Sequence, residues 1–275
     1  MDPTASAPGV PASMRRWRRV PVPARRALVT ARRLSHFTSR PHPKFDVDVI
    51  EGVAVVTADD GKVNAVSGPM SRAFTRALDR VEADERVRAV VLTGRPGQFS
   101  AGFDLDTLIV GGRARDELVR DGWGLILRLF TLPLPVVAAC TGNAVAAGAA
   151  LLLTADARLG ADGDFKIGFN EAAIGLPLPG VVLMLAAERL SEDAYEEATH
   201  GARMYRPREA LTAGFLDRVV PAAELVDAAI DEADALSSRP AGTFRRDKEA
   251  RIGPIAERMR QQLPDDLRLI ERIGA

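Results

Sequence analysis

The longest stretch without a charged residue, residues 129–155, constrains the fold of this chain more than any other feature. It is long enough to be a membrane-spanning helix. However, Pro133, Pro135, Gly142 and Asn143 interrupt it, and proline and glycine break or weaken a helix. We therefore expect a short strand followed by a helix of small residues, both buried in the core of a globular protein.

Size and composition agree with a buried core. The chain has 275 residues, of which 47% are hydrophobic, so it can form one large domain or two small ones. Cys140 is the only cysteine, which excludes an internal disulfide and a metal site built from several cysteines. We expect Cys140 to pack as a small hydrophobic residue, and we predict no metal ion in the functional site.

The N-terminal segment differs from the rest of the chain in its charge. Residues 3–45 contain nine Arg, one Lys and no acidic residue, so we expect residues 1–44 to form a disordered extension. The composition is also that of an organellar transit peptide. An over-long translation start, with Met14 or a later codon genuine, is a further alternative.

The remainder of the chain is acidic. Without residues 3–45 and Asp2 it carries 27 basic and 36 acidic side chains, which argues against nucleic acid as a partner. Arg outnumbers Lys by 33 to 4, as in proteins encoded by GC-rich DNA. This bias favours a bacterial cytoplasmic protein.

Strand and helix patterns alternate after the basic segment. Apolar and polar residues alternate over residues 45–50, residues 53–58 form a second strand-like run, and helical spacing begins after Ser67. Similar strand, strand, helix units recur around residues 89–108 and 136–159. This alternation is typical of an α/β protein.

The pattern becomes mainly helical toward the C-terminus. A short strand is predicted at residues 218–220, and glycine and proline predict helix breaks at residues 253–254 and at Pro264. We therefore predict an α/β core over residues 45–240, followed by a helical region over residues 241–275.

Two segments of small residues follow predicted strands. Residues 98–105 come after the strand at residues 89–93, and residues 141–150 come after the apolar run at residues 136–140. Where a helix starts at such a strand end, its first N–H groups lack partners and its dipole favours negative charge. Two of these ends facing one cleft would form an oxyanion hole, although tight helix packing also selects small residues.

Glu171 is the only acidic residue between Asp164 and Glu188. Its neighbours are apolar or small, apart from Lys166 and Asn170. A carboxylate in such surroundings is either a structural ion-pair partner or a base whose pKa is raised by desolvation.

Four motifs occur in the order found in one protein family. They are residues 61–66 (GKVNAV), 99–105 (FSAGFDL), 133–139 (PLPVVAA) and 167–175 (IGFNEAAIG). Together they resemble the crotonase superfamily, the enoyl-CoA hydratase/isomerase proteins, over roughly residues 45–260. The resemblance implies the α/β ClpP/crotonase fold, a spiral of strand-strand-helix units. It also implies an acyl-CoA thioester substrate and no cofactor other than the coenzyme A of that substrate.

The resemblance further implies the positions of the site. The backbone N–H groups of Phe103 and Ala147 would form the oxyanion hole, and Glu171 would be the catalytic base. The substrate-binding positions, where the path of the backbone matters more than the side chain, are Lys62, Asn64, Ala65, Ala101, Gly102, Asp104, Leu105 and Gly148.

One position departs from the hydratases of this family, which use two glutamates to position and split water. Ala150 stands in the place of the first, whereas Glu171 matches the second, as in single-glutamate Δ3,Δ2-enoyl-CoA isomerases. Moving a double bond needs one base, which removes a proton from C2 and returns it at C4. The sequence therefore favours a 3-enoyl-CoA isomerase. A hydratase-like enzyme and a non-catalytic acyl-CoA-binding protein are the alternatives.

The family resemblance also implies trimers, or pairs of trimers, built through the C-terminal helices. The predicted C-terminal helices carry more apolar positions than an isolated tail can bury, namely Phe244, Ile252, Ile255, Met259 and Leu263. We therefore predict a homotrimer or hexamer. Phe244 and Lys248 are candidates to reach the coenzyme A site of a neighbouring subunit.

Other candidate groups have simpler interpretations. His36 and His42 lie in the predicted extension, and His200 lies on a helical face and is expected at the surface. Ser100 has no evident histidine partner, which argues against the serine proteases that share this fold. Asp104 is expected to cap a helix rather than to supply a second carboxylate.

Overall fold

The computed structural model describes residues 44–240 and 242–273. The predicted disordered extension, residues 1–44, lies outside this part of the chain apart from Lys44, where the first strand begins. The strands are β1 (Lys44–Ile50), β2 (Val53–Asp59), β3 (Ala89–Thr93), β4 (Gly97–Ser100), β5 (Val136–Cys140), β6 (Gly142–Val145), β7 (Ala157–Ala161), β8 (Ile167–Gly168) and β9 (Arg218–Val220). The helices are α1 (Gly68–Ala83), α2 (Leu105–Val110), α3 (Gly112–Phe130), α4 (Ala147–Leu153), α5 (Gly180–Arg189), α6 (Glu192–Thr199), α7 (Pro207–Ala213), α8 (Leu225–Ser237) and α9 (Thr243–Ile273).

The strands form two sheets. The larger has the order β1-β2-β3-β5-β7-β9, with β1 antiparallel to β2 and the other pairs parallel, and the smaller has the parallel order β4-β6-β8. Each of the pairs β3/β4, β5/β6 and β7/β8 sends its first strand to the larger sheet and its second to the smaller one. The chain therefore winds as a spiral, which confirms the predicted strand-strand-helix units.

The central strands are buried on both faces. Every residue of β2, β3 and β5 is buried, as expected for parallel strands that are covered on both sides. Helix α8 packs on β3, β5 and β7, and α1 packs on β1, where the rings of Phe45 and Phe74 stack at 4.4 Å. Ser67 caps the start of α1, and its hydroxyl accepts the N–H of Met70, where the helical spacing predicts a helix start.

The uncharged stretch at residues 129–155 is part of this core. It supplies β5, β6 and α4, and every residue of β5 and α4 is buried. Among the described helices, none has both the length and the apolar character that crossing a bilayer requires.

The sequence predicted a strand-strand-helix unit around residues 136–159 but did not locate β6 within it, because residues 141–150 read as a turn through small residues into a helix. The structure places Gly142–Val145 between β4 and β8 instead. A Cβ atom at Gly142 would lie 2.0 Å from the carbonyl carbon of Gly97, so the two backbones meet closer than any side chain permits. The small residues of this segment therefore serve strand contacts as well as helix packing.

The C-terminal helix α9 runs without interruption through Pro254 and Pro264. The helix breaks predicted at residues 253–254 and at Pro264 are therefore wrong. An interior proline costs a helix about 3 kcal/mol. Packing of α9 against α3 and α5 outweighs this cost, because it buries Ile252, Ile255 and Met259.

This packing changes the argument for an oligomer. The apolar positions of α9 that were expected to need a partner subunit are covered largely by their own chain. Lys248 is also buried, and its Nζ donates to Asp156 Oδ2 at 2.6 Å and to the Leu134 carbonyl at 3.2 Å. It is thus engaged within its own chain and not available to a neighbouring coenzyme A site. The homotrimer or hexamer stays a prediction that rests on the family resemblance alone.

Candidate active site

A cavity of about 420 Å³ opens beside the smaller sheet. Its wall combines α2, α3, the start of α5, the end of α9 and the loop that follows β8. Large aliphatic side chains supply much of the lining, namely Leu105, Leu108, Ile109, Ile174, Leu176 and Ile270. A mostly apolar cavity of this volume is of the size that proteins use to hold small organic molecules.

Glu171 lies in the wall of this cavity and is partly buried. Its Oε2 atom has no hydrogen-bond partner within the described part of the chain. Burial raises the pKa of the Glu171 carboxyl from 4.5 to about 7, and the backbone N–H groups of Glu171 and Asn170 oppose this shift only in part. The Glu171 side chain can therefore gain and lose a proton near neutral pH.

Strand pairing and a buried aromatic side chain fix the position of Glu171. Strand β8 is held against β6, where the N–H of Ala146 donates to the Gly168 carbonyl at 3.0 Å. Phe169 follows and is fully buried, with its ring edge-on to Phe215 at 5.5 Å. Glu171 then begins a single turn of 3-10 helix, and its carbonyl accepts the N–H of Leu176 at 2.9 Å.

The two segments of small residues meet at Gly102. This residue has φ +85°, and a Cβ atom there would lie 2.9 Å from the Val145 carbonyl oxygen and 3.1 Å from the Ala147 nitrogen. Ala147 is the first residue of α4, and Phe103 follows Gly102. Within the described residues, neither the Phe103 N–H nor the Ala147 N–H has a hydrogen-bond acceptor. Two unpaired donors from different segments thus lie near one another.

Residues 62–66 run alongside the first of these segments. The Ala101 N–H donates to Val63, the Val66 N–H donates to Gly102, and the Asp104 N–H donates to Val66, over distances of 2.7 to 3.1 Å. The structure therefore brings together the two backbone stretches that were expected to line a coenzyme A groove.

The sequence pattern of the enoyl-CoA hydratase/isomerase family matches residues 48–274, nearly the whole of the described chain. The chain belongs to this family. Its relatives include a subunit alpha of a fatty acid oxidation complex from Idiomarina loihiensis, so the family is one of fatty acid metabolism.

Individual relatives carry the names of both activities. The chain is 37% identical, over 69% of its length and 74% of the relative, to a Thermus thermophilus protein provisionally named an enoyl-CoA hydratase. It is 33% identical to the mitochondrial enoyl-CoA delta isomerase 1 of Rattus norvegicus, over 62% of this chain and 60% of the relative. The structure of human mitochondrial delta3-delta2-enoyl-CoA isomerase superposes with a TM-score of 0.81 at 28% identity, covering 84% and 92% of the two chains. These similarities do not decide between hydratase and isomerase activity for this chain.

In this enoyl-CoA hydratase/isomerase family protein, four of the predicted site residues line the cavity: Ala101, Phe103, Leu105 and Glu171. The other seven are not among the residues that line it. Lys62 is exposed, and the N–H of Ala65 donates to Asp60 Oδ2 at 2.9 Å.

Several of the predicted binding residues have structural contacts. Asn64 is buried in a left-handed conformation, and its Nδ2 donates to the carbonyls of Ala58 and Phe99 at 3.1 and 3.2 Å. Asp104 caps α2 by accepting the Thr107 N–H, which confirms the predicted helix cap. A Cβ atom at Gly148 would lie 2.2 Å from the Ser100 carbonyl oxygen, so Gly148 allows α4 to pack on β4.

The structure also shows the surroundings of Ala150, which replaces a hydratase glutamate, and of Ser100 and His200, which were not predicted to be catalytic. Ala150 is fully buried in α4 and is not part of the cavity lining. Among the described residues that line the cavity, Glu171 is therefore the only carboxylate. The Ser100 hydroxyl is buried and donates to the Asn64 carbonyl at 2.8 Å, and His200 is exposed beside Glu196 as predicted.

One part of the cavity wall was not predicted from the sequence. Arg115, Val119 and Trp123 of α3 line the cavity, as does Ile270 at the far end of α9. The spacing of four residues between the three α3 positions identifies one helical face. That spacing does not tell which part of the protein the face meets, because the partners lie in distant segments.

Proposed function

We propose that the protein shifts the double bond of a 3-enoyl-CoA to the 2-position, with Glu171 as the single base. The observation that supports this most directly is a lone carboxylate in the cavity lining whose pKa burial raises to about 7. A general base works best when its pKa lies near the operating pH. The family membership supports the acyl-CoA substrate class.

The proposed reaction needs one base and two hydrogen-bond donors. The Glu171 carboxylate removes a proton from C2, and the electron pair moves into the thioester to form a dienolate. The N–H groups of Phe103 and Ala147 would donate to the thioester oxygen, where negative charge collects. Glu171 then returns the proton at C4, which leaves the double bond between C2 and C3 and regenerates the base.

Hydration is the second candidate, because the Thermus thermophilus relative is named for that activity. Adding water across a double bond requires a group to deprotonate the water and a group to orient it. Ala150 offers neither, and its side chain is buried away from the cavity. We therefore favour isomerisation over hydration.

The deciding experiment measures both reactions with the purified wild-type protein. We expect a 3-enoyl-CoA series to be converted to the conjugated 2-enoyl-CoA, which is followed by its thioester absorbance, while 2-enoyl-CoA is hydrated slowly. Efficient hydration without isomerisation would contradict the single-base mechanism. Tight binding of both thioesters without turnover would indicate a non-catalytic acyl-CoA-binding protein.

The pH dependence of isomerisation provides a further prediction. Glu171 acts as a base only when it is ionised, and its pKa is raised to about 7. Below that pH, kcat/KM should rise by about tenfold per pH unit, and above it the rate should level off. A pH series with a saturated acyl-CoA as a binding control measures this. If kcat/KM falls only below about pH 4.5, the ordinary pKa of glutamate, the base is not desolvated.

A further inference from the structure

Arg115 places a positive charge in the wall of an otherwise mainly apolar cavity. The residue belongs to α3 and is only 8% exposed. Its Nε donates to Asp116 Oδ1 at 3.0 Å, and within the described residues its two terminal nitrogens have no hydrogen-bond acceptor. Among the described residues that line the cavity, Arg115 is the only basic one.

The two terminal nitrogens of the Arg115 guanidinium group are unpaired within the described residues but not fully buried, so they are open to a ligand in the cavity. Arginine has five N–H donors in a planar fork, and a buried charge is stabilised only when partners replace its water. Asp116 engages one edge of the guanidinium group and leaves the terminal nitrogens free to bind another group. The geometry of those two nitrogens matches a carboxylate, which accepts two parallel hydrogen bonds.

Trp123 provides a second donor on the same helical face. It lies two turns after Arg115, lines the same cavity and is 4% exposed. Its indole N–H is buried without an acceptor in the described part of the chain. The Phe103 ring packs edge-on against the indole at 5.2 Å, and Gly122 makes room for that ring. The indole nitrogen has no surface open to the cavity, so a ligand there does not reach it, and Arg115 is the donor that such a ligand can contact.

We propose that the acyl chain of the preferred substrate ends in a carboxylate, which Arg115 binds. The substrate would then be the mono-coenzyme A thioester of a dicarboxylic acid. This inference rests on the proposed function for the location of the acyl group. It goes further in assigning the chemistry at the far end of that group, with Arg115 as the specificity-determining residue.

The test compares the binding of thioesters that differ only at the end of the acyl chain. Hexanoyl-CoA and adipoyl-CoA, followed by longer matched pairs, are titrated by calorimetry against the wild-type protein. These saturated thioesters do not react, so their binding is independent of catalysis. We expect the carboxylate-ended member of at least one pair to bind about 10- to 100-fold more tightly, the usual gain for a hydrogen bond to a charged group.

Variants of α3 assign the preference to its residues. Arg115→Met is expected to abolish the preference while leaving the affinity for the methyl-ended thioester in place. Arg113→Met is the matched control, because Arg113 lies on the same helix with its side chain 92% exposed, and it should leave the preference unchanged.

Each outcome supports or overturns the proposal. Equal affinity within every matched pair, or an unchanged preference in Arg115→Met, overturns it. If Arg115→Met does not fold, the wild-type comparison and Arg115→Lys, which keeps the charge without the planar fork, decide instead. A carboxylate preference in a protein that fails to isomerise 3-enoyl-CoA would refute the proposed reaction and leave this inference standing. Binding of neither thioester would refute both.

Discussion

Replacement of Glu171 by glutamine is expected to lower the rate of double-bond migration by about 10²- to 10⁴-fold, the usual contribution of a general base. The amide retains the shape of the side chain but cannot accept the C2 proton. Because Glu171 is the only carboxylate among the described lining residues, no neighbour in that lining can replace it. The measurement is kcat and KM for a 3-enoyl-CoA, together with the Kd of a saturated acyl-CoA, which should change little.

The matched control is Asp164→Asn, which neutralises a carboxylate in the preceding loop. The Asp164 side chain is 82% exposed and pairs with Arg206, so its loss should leave the rate unchanged. An isomerisation rate for Glu171→Gln equal to that of the wild type would contradict the single-base mechanism.

Protein stability offers a second readout for the same variant. The folded state holds the Glu171 proton up to about pH 7, whereas an ordinary glutamate releases it near pH 4.5. At this group the folded state therefore binds more protons than the unfolded state between these values, so the contribution of Glu171 to the free energy of unfolding should fall as the pH rises from 4.5 to 7. Glutamine has no proton to lose, and Glu171→Gln should be the more stable protein at pH 8. A residue that acted only as an ion-pair partner would show the opposite order.

Replacement of Gly102 by alanine is expected to reduce kcat by about 10²- to 10³-fold, the usual effect of losing one oxyanion-hole donor. The new methyl group would lie 2.9 Å from both the Val145 carbonyl oxygen and the Ala146 Cβ, closer than real contacts allow. Relief of this contact must move the backbone that carries the Phe103 N–H away from Ala147. Steady-state kinetics with a 3-enoyl-CoA measures the loss, and thermal unfolding checks that the protein remains folded.

Gly97→Ala separates this steric effect from backbone strain. Gly97 has φ +78°, close to that of Gly102, but a Cβ atom there would meet nothing within 4 Å. Both variants therefore incur the strain of a left-handed alanine, about 1 kcal/mol or slightly more. Only Gly102→Ala should lose catalysis. Similar kinetics for the two variants would mean that the approach of Gly102 to Ala147 does not contribute to the reaction.

The sequence alone predicted the features that depend on residues close together along the chain. Alternating polarity identified β1, and the spacing after Ser67 identified α1, because both patterns arise from the period of the element itself. The motifs around Gly102 and Glu171 helped to identify the family, since a reaction that uses backbone N–H groups and one carboxylate requires a particular chain path. The absence of a carboxylate at Ala150 was likewise visible in the sequence alone.

The tertiary structure decided the features that depend on distant segments. Strand β6 exists because Gly97 and Gly142 allow two backbones to approach, and α9 continues through Pro254 because α3 and α5 bury its apolar face. The face of α3 that carries Arg115 became part of the site only when the loop after β8 and the end of α9 closed the cavity. Sequence patterns report which residues share a face, because that depends on neighbours along the chain. What the face meets, and which hydrogen-bond donors remain free there, depends on contacts between residues far apart in the sequence.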